Sequence, residues 1–271
     1  MSAVAAGEIR ARRAGFMRDL FSVAGRALRA LPRQPESVIP GIIIPAFFFI
    51  VNIGALEKLT ESVAGGPAGA AFDYRAFQLP VAIAFAVTGI SQAAILVIDI
   101  QGGYFDRLLA TPVHRMALLL GLMIADVTMV VFLSIPVIVT AFLMDIEFAT
   151  GVGGILAFVG LSAAWGLVFT GFPYAIALKT GNPAAVNTSF ILFFPFLFLT
   201  TAFAPLEFLS GWLKTAATYN PVTYLLAGLR SLIMEGWVAE DLIKAFLAVA
   251  AVGVVSMTMA FLALKGRVKR S

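Results

Sequence analysis

The chain has no cysteine and a single histidine, His114. Without cysteine there can be no disulfide framework and no thiolate metal site. One histidine cannot furnish a histidine-based metal centre within a subunit. Charge is scarce too. Only 13% of residues are Asp, Glu, Lys or Arg, against roughly 25% in soluble domains. There is no phosphate-cradling GxxxxGK[ST] loop, which excludes nucleotide hydrolysis by that route. No internal repeat or low-complexity linker divides the 271 residues, and we treat 1–271 as a single membrane domain.

What fills the chain is apolar. Hydrophobic residues make up 61% of it, and the mean hydropathy is +0.97. A soluble protein could not keep that much apolar area from water without aggregating. A membrane helix needs about 20 mostly apolar residues. Six runs qualify, at about Val38–Leu56, Ala76–Ile98, Met116–Met144, Gly151–Leu178, Ala184–Ala204 and Leu242–Leu264. Pro45, Pro136, Pro173 and Pro195 fall inside them, and neighbouring helices of a bundle can satisfy the carbonyls that proline frees. The expected fold is therefore an all-α integral membrane protein with six transmembrane helices.

Lysine and arginine gather on the cytoplasmic side of membrane proteins. With six spans both termini share one side. That side holds 14 of the 19 basic residues. Seven are in the N-terminal arm, followed by Arg107, Arg115, Lys179, Lys265, Arg267, Lys269 and Arg270. Nine of the 15 acids fall on the other side. The basic balance is thus a topology signal, and no nucleic-acid partner is needed to explain it. Residues 1–37 form a cytoplasmic arm with no apolar core of signal type.

Within that arm, Phe16, Met17, Leu20, Phe21, Ala24, Ala27, Leu28 and Leu31 recur at helical spacing, with Arg18, Ser22, Arg26 and Arg29 on the other face. This pattern predicts an amphipathic helix lying on the bilayer, its arginines meeting anionic headgroups. Pro32 and Pro35 end it. Between spans five and six, residues 205–239 are only moderately apolar. They carry Trp212, Tyr219, Tyr224 and Trp237, residues suited to the membrane–water interface. Two short helices, about 208–217 and 222–234, are expected there, lying at or dipping into the outer surface as a re-entrant pair.

The loop after span two runs from Asp99 to Arg115. A short helix is expected from Tyr104 to Leu109, exposing charge at Asp106, Arg107 and Arg115 and an apolar face at Phe105, Leu108 and Leu109. Pro112 redirects the chain into span three. Such a loop suits a groove on a soluble partner. Its stretch GGYFDRLLATPVHR resembles the cytoplasmic signature loop of type-2 ABC exporter permeases. YNPVTYLLAGLRSLIMEG (219–236) resembles the Asn-Pro-x-Thr-Tyr stretch these permeases carry before their last span. The drug- and lipid-export branch, with its daunorubicin-resistance and nodulation-factor permeases, is nearest. Many relatives carry Glu-Arg before the loop glycine, where this chain has Asp99-Ile-Gln101.

The resemblance implies a permease subunit that pairs with a separate ATP-binding cassette subunit, two of each forming the transporter, in a bacterial cytoplasmic membrane. ATP and Mg belong to the partner, and this chain binds no cofactor. Residues 99–115 become the coupling element, with Asp99, Gln101, Gly103, Phe105, Asp106, Arg107, Leu109, Thr111, Pro112 and Arg115 as its candidates. The arm helix, through Phe16, Arg18, Leu20, Arg26 and Arg29, becomes a second contact. Asn220, Pro221, Thr223, Tyr224 and Arg230 mark the outer motif. The alternative is an ion-gradient-driven secondary transporter, which needs intramembrane acids. Asp126 alone qualifies, and a 29-residue span three is long enough to leave it in the cytoplasmic headgroup zone. An intramembrane enzyme would need paired acids or a Ser/Lys pair at depth, which the sequence does not offer.

Overall fold

The computed structural model describes residues 15–30, 39, 43, 45–55, 72–88, 91–109, 111 and 113–269. The arm before Gly15, Pro32, Pro35, Pro112 and most of the first half of span one lie outside the described residues. Every described element is helical.

Helix α1 (Phe16–Ala30) is the amphipathic segment, found within one residue of its expected bounds. Helix α2 (Pro45–Ala55) covers most of the described part of span one. Span two is not one helix. It divides into α3 (Tyr74–Thr88) and α4 (Ala93–Gln101), with Ser91 and Gln92 non-helical between them. Helix α5 (Tyr104–Leu109) follows a turn in which Gly103 takes φ +68°, a left-handed conformation that favours glycine. Helix α6 (Arg115–Leu143) has 29 residues. At about 1.5 Å per residue it is roughly 43 Å long, enough to cross a ~30 Å hydrocarbon core with turns to spare.

Span four comprises α7 (Gly151–Phe169) and α8 (Gly171–Thr180), which meet at Thr170. Helix α9 (Pro183–Phe198) is shorter than span five was expected to be, and residues 199–204 leave it as bends. Asn182 caps its start, accepting from the Ala184 N–H. A 3-10 turn (Leu206–Phe208), α10 (Gly211–Tyr219) and α11 (Pro221–Met234) form the predicted pair of short helices. Helix α12 (Ala239–Val268) closes the chain, with Glu240 and Asp241 in its first turn and Lys265 and Arg267 in its last. That arrangement suits the helix dipole at both ends. By length and composition α6, the α7–α8 pair and α12 are each able to cross a membrane.

Buried side chains form two large apolar cores, one in each half of the bundle. One half joins α4, α5, the start of α6, α8 and the end of α12 through residues such as Leu96, Phe105, Met123, Leu178 and Leu264. The other joins α3, the end of α6, α7, α11 and the start of α12 through Leu79, Ile83, Phe158, Leu229 and Val249. Arg115, Lys179, Lys265 and Arg267 belong to elements of the first half, which we call the basic half.

Small residues let the helices approach. A Cβ on Gly121 of α6 would stand 2.7 Å from the Val23 Cβ of α1. One on Gly171 would stand 2.8 Å from the Ser256 backbone of α12. Close packing at small residues is a main source of helix association in lipid.

Candidate functional site

The loop 99–115 is tied to its own chain at three points. Asp99 accepts from Arg26 of α1 at 2.8 Å. The Gln101 amide donates to the Gly181 carbonyl, just past α8, at 2.9 Å. Asp106 of α5 lies 3.6 Å from Arg267 of α12. Arg26 also stacks over the Tyr104 ring, 4.8 Å from its centroid, a cation–π contact. A fourth contact fixes the loop's far end. Buried Asp19 of α1 accepts from the His114 N–H at 3.1 Å, satisfying a donor at the start of α6. The Phe16 ring meets His114 edge-on.

These contacts correct two expectations. Phe105 is only 3% exposed and belongs to the core of the basic half. It anchors α5 inward and is not part of an exposed apolar face; the side chain of Leu109 lies outside the described residues. Arg26 serves the protein, through Asp99 and Tyr104, where headgroup contact was expected. Leu20 and Ala24 are likewise buried, in a helix packed against α6, while Met17 and Phe21 stay exposed. Arg18 and Arg29 remain on the exposed face as predicted. Among the described residues, what the loop presents outward is Gln101, Gly102, Tyr104, Arg107, Thr111, His114 and Arg115.

Midway along the bundle sits a group whose role the sequence does not disclose. Asp126 is fully buried. It accepts from the backbone N–H of Gln92, in the break between α3 and α4, and from the hydroxyl of Tyr174 on α8, each at 2.8 Å. It stands 11 residues into α6, so about 16 Å along it, and protein surrounds it, not headgroups. The interruption of span two frees backbone donors that lipid cannot satisfy, and Asp126 takes up one of them. The same carboxylate reaches α8 just past the Thr170 junction. Next to that junction Ser256 of α12 donates to the Val168 carbonyl. The polar run Thr88-Gly-Ile-Ser-Gln92 was the available signal for the break.

In the other half, Asn220 and Arg230 organise the 219–236 segment. The Asn220 amide donates to the carbonyls of Phe196 and Leu199 at 2.7 and 2.8 Å, and its oxygen caps α11 by accepting from the Val222 N–H. Pro221 follows at the first helical position, where its missing N–H costs nothing. Tyr224 donates to the Thr218 carbonyl at 2.6 Å, closing the α10–α11 turn. Thr223 is buried. Arg230 was counted among outer-side charges but is buried, and its partners are oxygens of the fold. It donates to the carbonyls of Phe77 and Thr201 and to the Thr201 hydroxyl at 2.7–3.0 Å. Its guanidinium lies 3.4 Å from the Phe77 ring centroid.

The class of protein follows from this arrangement. It is a multi-pass membrane chain, helical in every described element, whose basic half carries a braced loop and whose opposite half carries two short helices, the second of them packed against α12. A family model described as ABC-2 type transporter matches residues 18–234, and the chain belongs to that family. Permeases of this family work with an ATP-binding subunit. The chain is 28% identical over 239 residues to the daunorubicin resistance ABC transporter permease protein DrrB1 of Streptomyces coeruleorubidus, covering 85% of this chain and 80% of the relative. It is 24% identical over 231 residues to a probable doxorubicin resistance ABC transporter permease protein DrrC of Mycobacterium tuberculosis, covering 84% and 81%.

Proposed function

We propose that the chain is the membrane-spanning subunit of an ATP-driven exporter. It moves a hydrophobic or amphipathic substrate (a drug, lipid or glycolipid) out of the cytoplasm or inner leaflet by alternating access. In this reading it crosses a bacterial cytoplasmic membrane six times, with both termini inside. It assembles with a second permease copy or paralogue and two ATP-binding cassette subunits, which hold ATP and Mg. The loop 99–115 docks on the ATP-binding subunit, and residues 205–239 close the exit.

The observation that carries the proposal is the bracing of the loop to α1, α8 and α12. A docking element transmits motion only if it is stiffer than the joint it drives. Here a push on α5 is passed to the last span through Asp106 and Arg267, and to α1 through Tyr104 and Arg26, which also holds Asp99 at the end of α4. ATP supplies the bias, because a ligand shifts an equilibrium only by its differential affinity for the two states. The ion-gradient alternative would rest on Asp126. That carboxylate is occupied by two hydrogen bonds of the fold, and among the described residues no second buried acid lies beside it.

The test is co-purification with the ATP-binding subunit, combined with substitution of exposed loop charges. Arg107→Glu and Arg115→Glu are expected to lower substrate transport at least tenfold while the subunit keeps its basal ATP hydrolysis. If no ATP-binding subunit binds, and these variants transport normally, the docking assignment is wrong.

A further inference from the structure

The basic half contains a cavity of about 650 Å³ between α5, α8 and α12, within the volume range of small-molecule sites. Its walls are graded. Ile176 of α8 and Met259 and Leu262 of α12 supply the apolar part, while Lys179, Arg267 and Asp106 stand at one end. Along α12 the distance from Met259 to Arg267 is about 12 Å at helical rise. The polar end coincides with the ends of α8 and α12, where Lys265 and Lys269 add further positive charge. Lys179 meets no hydrogen-bonding or ionic partner among the described residues. Among the described residues Asp106 is the one carboxylate in the lining, and Arg267 faces it at 3.6 Å.

We propose that this groove binds an anionic phospholipid of the cytoplasmic leaflet, its acyl chain along Ile176, Met259 and Leu262 and its phosphate at Lys179 and Arg267. The placement of this end in the cytoplasmic leaflet rests on the orientation proposed above. Both gradients match such a lipid. The apolar wall runs toward the bundle's middle, and the cations stand at the end. Basic pockets between spans on the cytoplasmic side are favourable sites for anionic headgroups. The site also abuts the coupling machinery, since a phosphate at Arg267 competes with Asp106 for the same guanidinium. The lipid would thereby set how firmly α5 is tied to the last span.

The absence of cysteine makes the test clean. Val255→Cys, on the same face one turn before Met259, carries a fluorophore beside the groove without filling it. Phe246→Cys, exposed in the opposite half, is the control. The full chain is placed in nanodiscs with nitroxide-labelled phosphatidylglycerol or nitroxide-labelled phosphatidylcholine. At position 255, phosphatidylglycerol is expected to reach half-quenching at a mole fraction about fivefold lower. The preference should vanish in Lys179→Gln, return in Lys179→Arg, and be missing at position 246. Equal quenching by the two lipids would overturn the proposal. So would the lack of quenching by either, which would mean that protein covers the groove. The readout needs neither ATP nor transport, so its failure leaves the exporter reading standing, and failure of ATP-binding-subunit capture leaves this test readable.

Discussion

The two halves of the bundle are held together by different chemistry. Each half has its own apolar core, but in the basic half the polar ties between elements include contacts between partly exposed side chains, such as Arg26 with Asp99 and Asp106 with Arg267. In the opposite half, buried side chains bind backbone carbonyls. Arg230 reaches Phe77 and Thr201, and Asn220 reaches Phe196 and Leu199. Partly exposed ion pairs contribute about 0–1 kcal/mol each. A buried group stripped of its hydrogen bond costs about 1–3 kcal/mol. The two halves therefore differ in what the loss of one polar contact costs, at most about 1 kcal/mol at the partly exposed pairs and about 1–3 kcal/mol at the buried groups. Asp126 lies between them, where α4 and α8 begin.

This contrast can be broken first at Arg230. Arg230→Leu leaves three buried oxygen acceptors without their donor. It is expected to lower stability by about 3 kcal/mol or more, seen as a fall in the thermal unfolding midpoint in detergent, with Arg230→Lys intermediate. Asp126→Ala comes next. It strands the Gln92 N–H and the Tyr174 hydroxyl and should cost about 2–4 kcal/mol. A double-mutant cycle of Asp126→Asn with Tyr174→Phe should give a coupling of about 1–2 kcal/mol; additive effects would show that the two groups do not share the joint. Gly121→Ala presses a methyl against Val23 and should loosen α1 from α6 at a cost of about 1–3 kcal/mol. The smallest stability change belongs to Arg26→Ala, at most about 1 kcal/mol and weaker in high salt. A loss as large as that at Arg230 would erase the distinction between the halves.

Much of the basic half was legible because its signals are local. The spacing of Phe16, Leu20, Ala24 and Ala27 sets out α1 by itself, and Tyr104–Leu109 is bounded by Gly103 on one side. Span three, expected at Met116–Met144, is α6 at Arg115–Leu143. What escaped depends on partners distant in sequence. Asp126 is 34 residues from Gln92 and 48 from Tyr174, so nothing near it marks a capped break. Arg230 looks like a surface charge until Thr201 and Phe77, 29 and 153 residues away, close over it. Phe105 was misplaced for a related reason. A six-residue helix shows an apolar face, but only packing decides whether that face turns to a partner or to its own core.

Whether ATP, acting through the loop 99–115, drives this permease is decided by substrate transport in vesicles containing the chain and its ATP-binding subunit, with ion gradients collapsed. Transport is expected to require ATP and to fall at least about tenfold with Arg107→Glu. Transport that follows an imposed proton or sodium gradient, and is indifferent to ATP and to Arg107, would contradict that expectation.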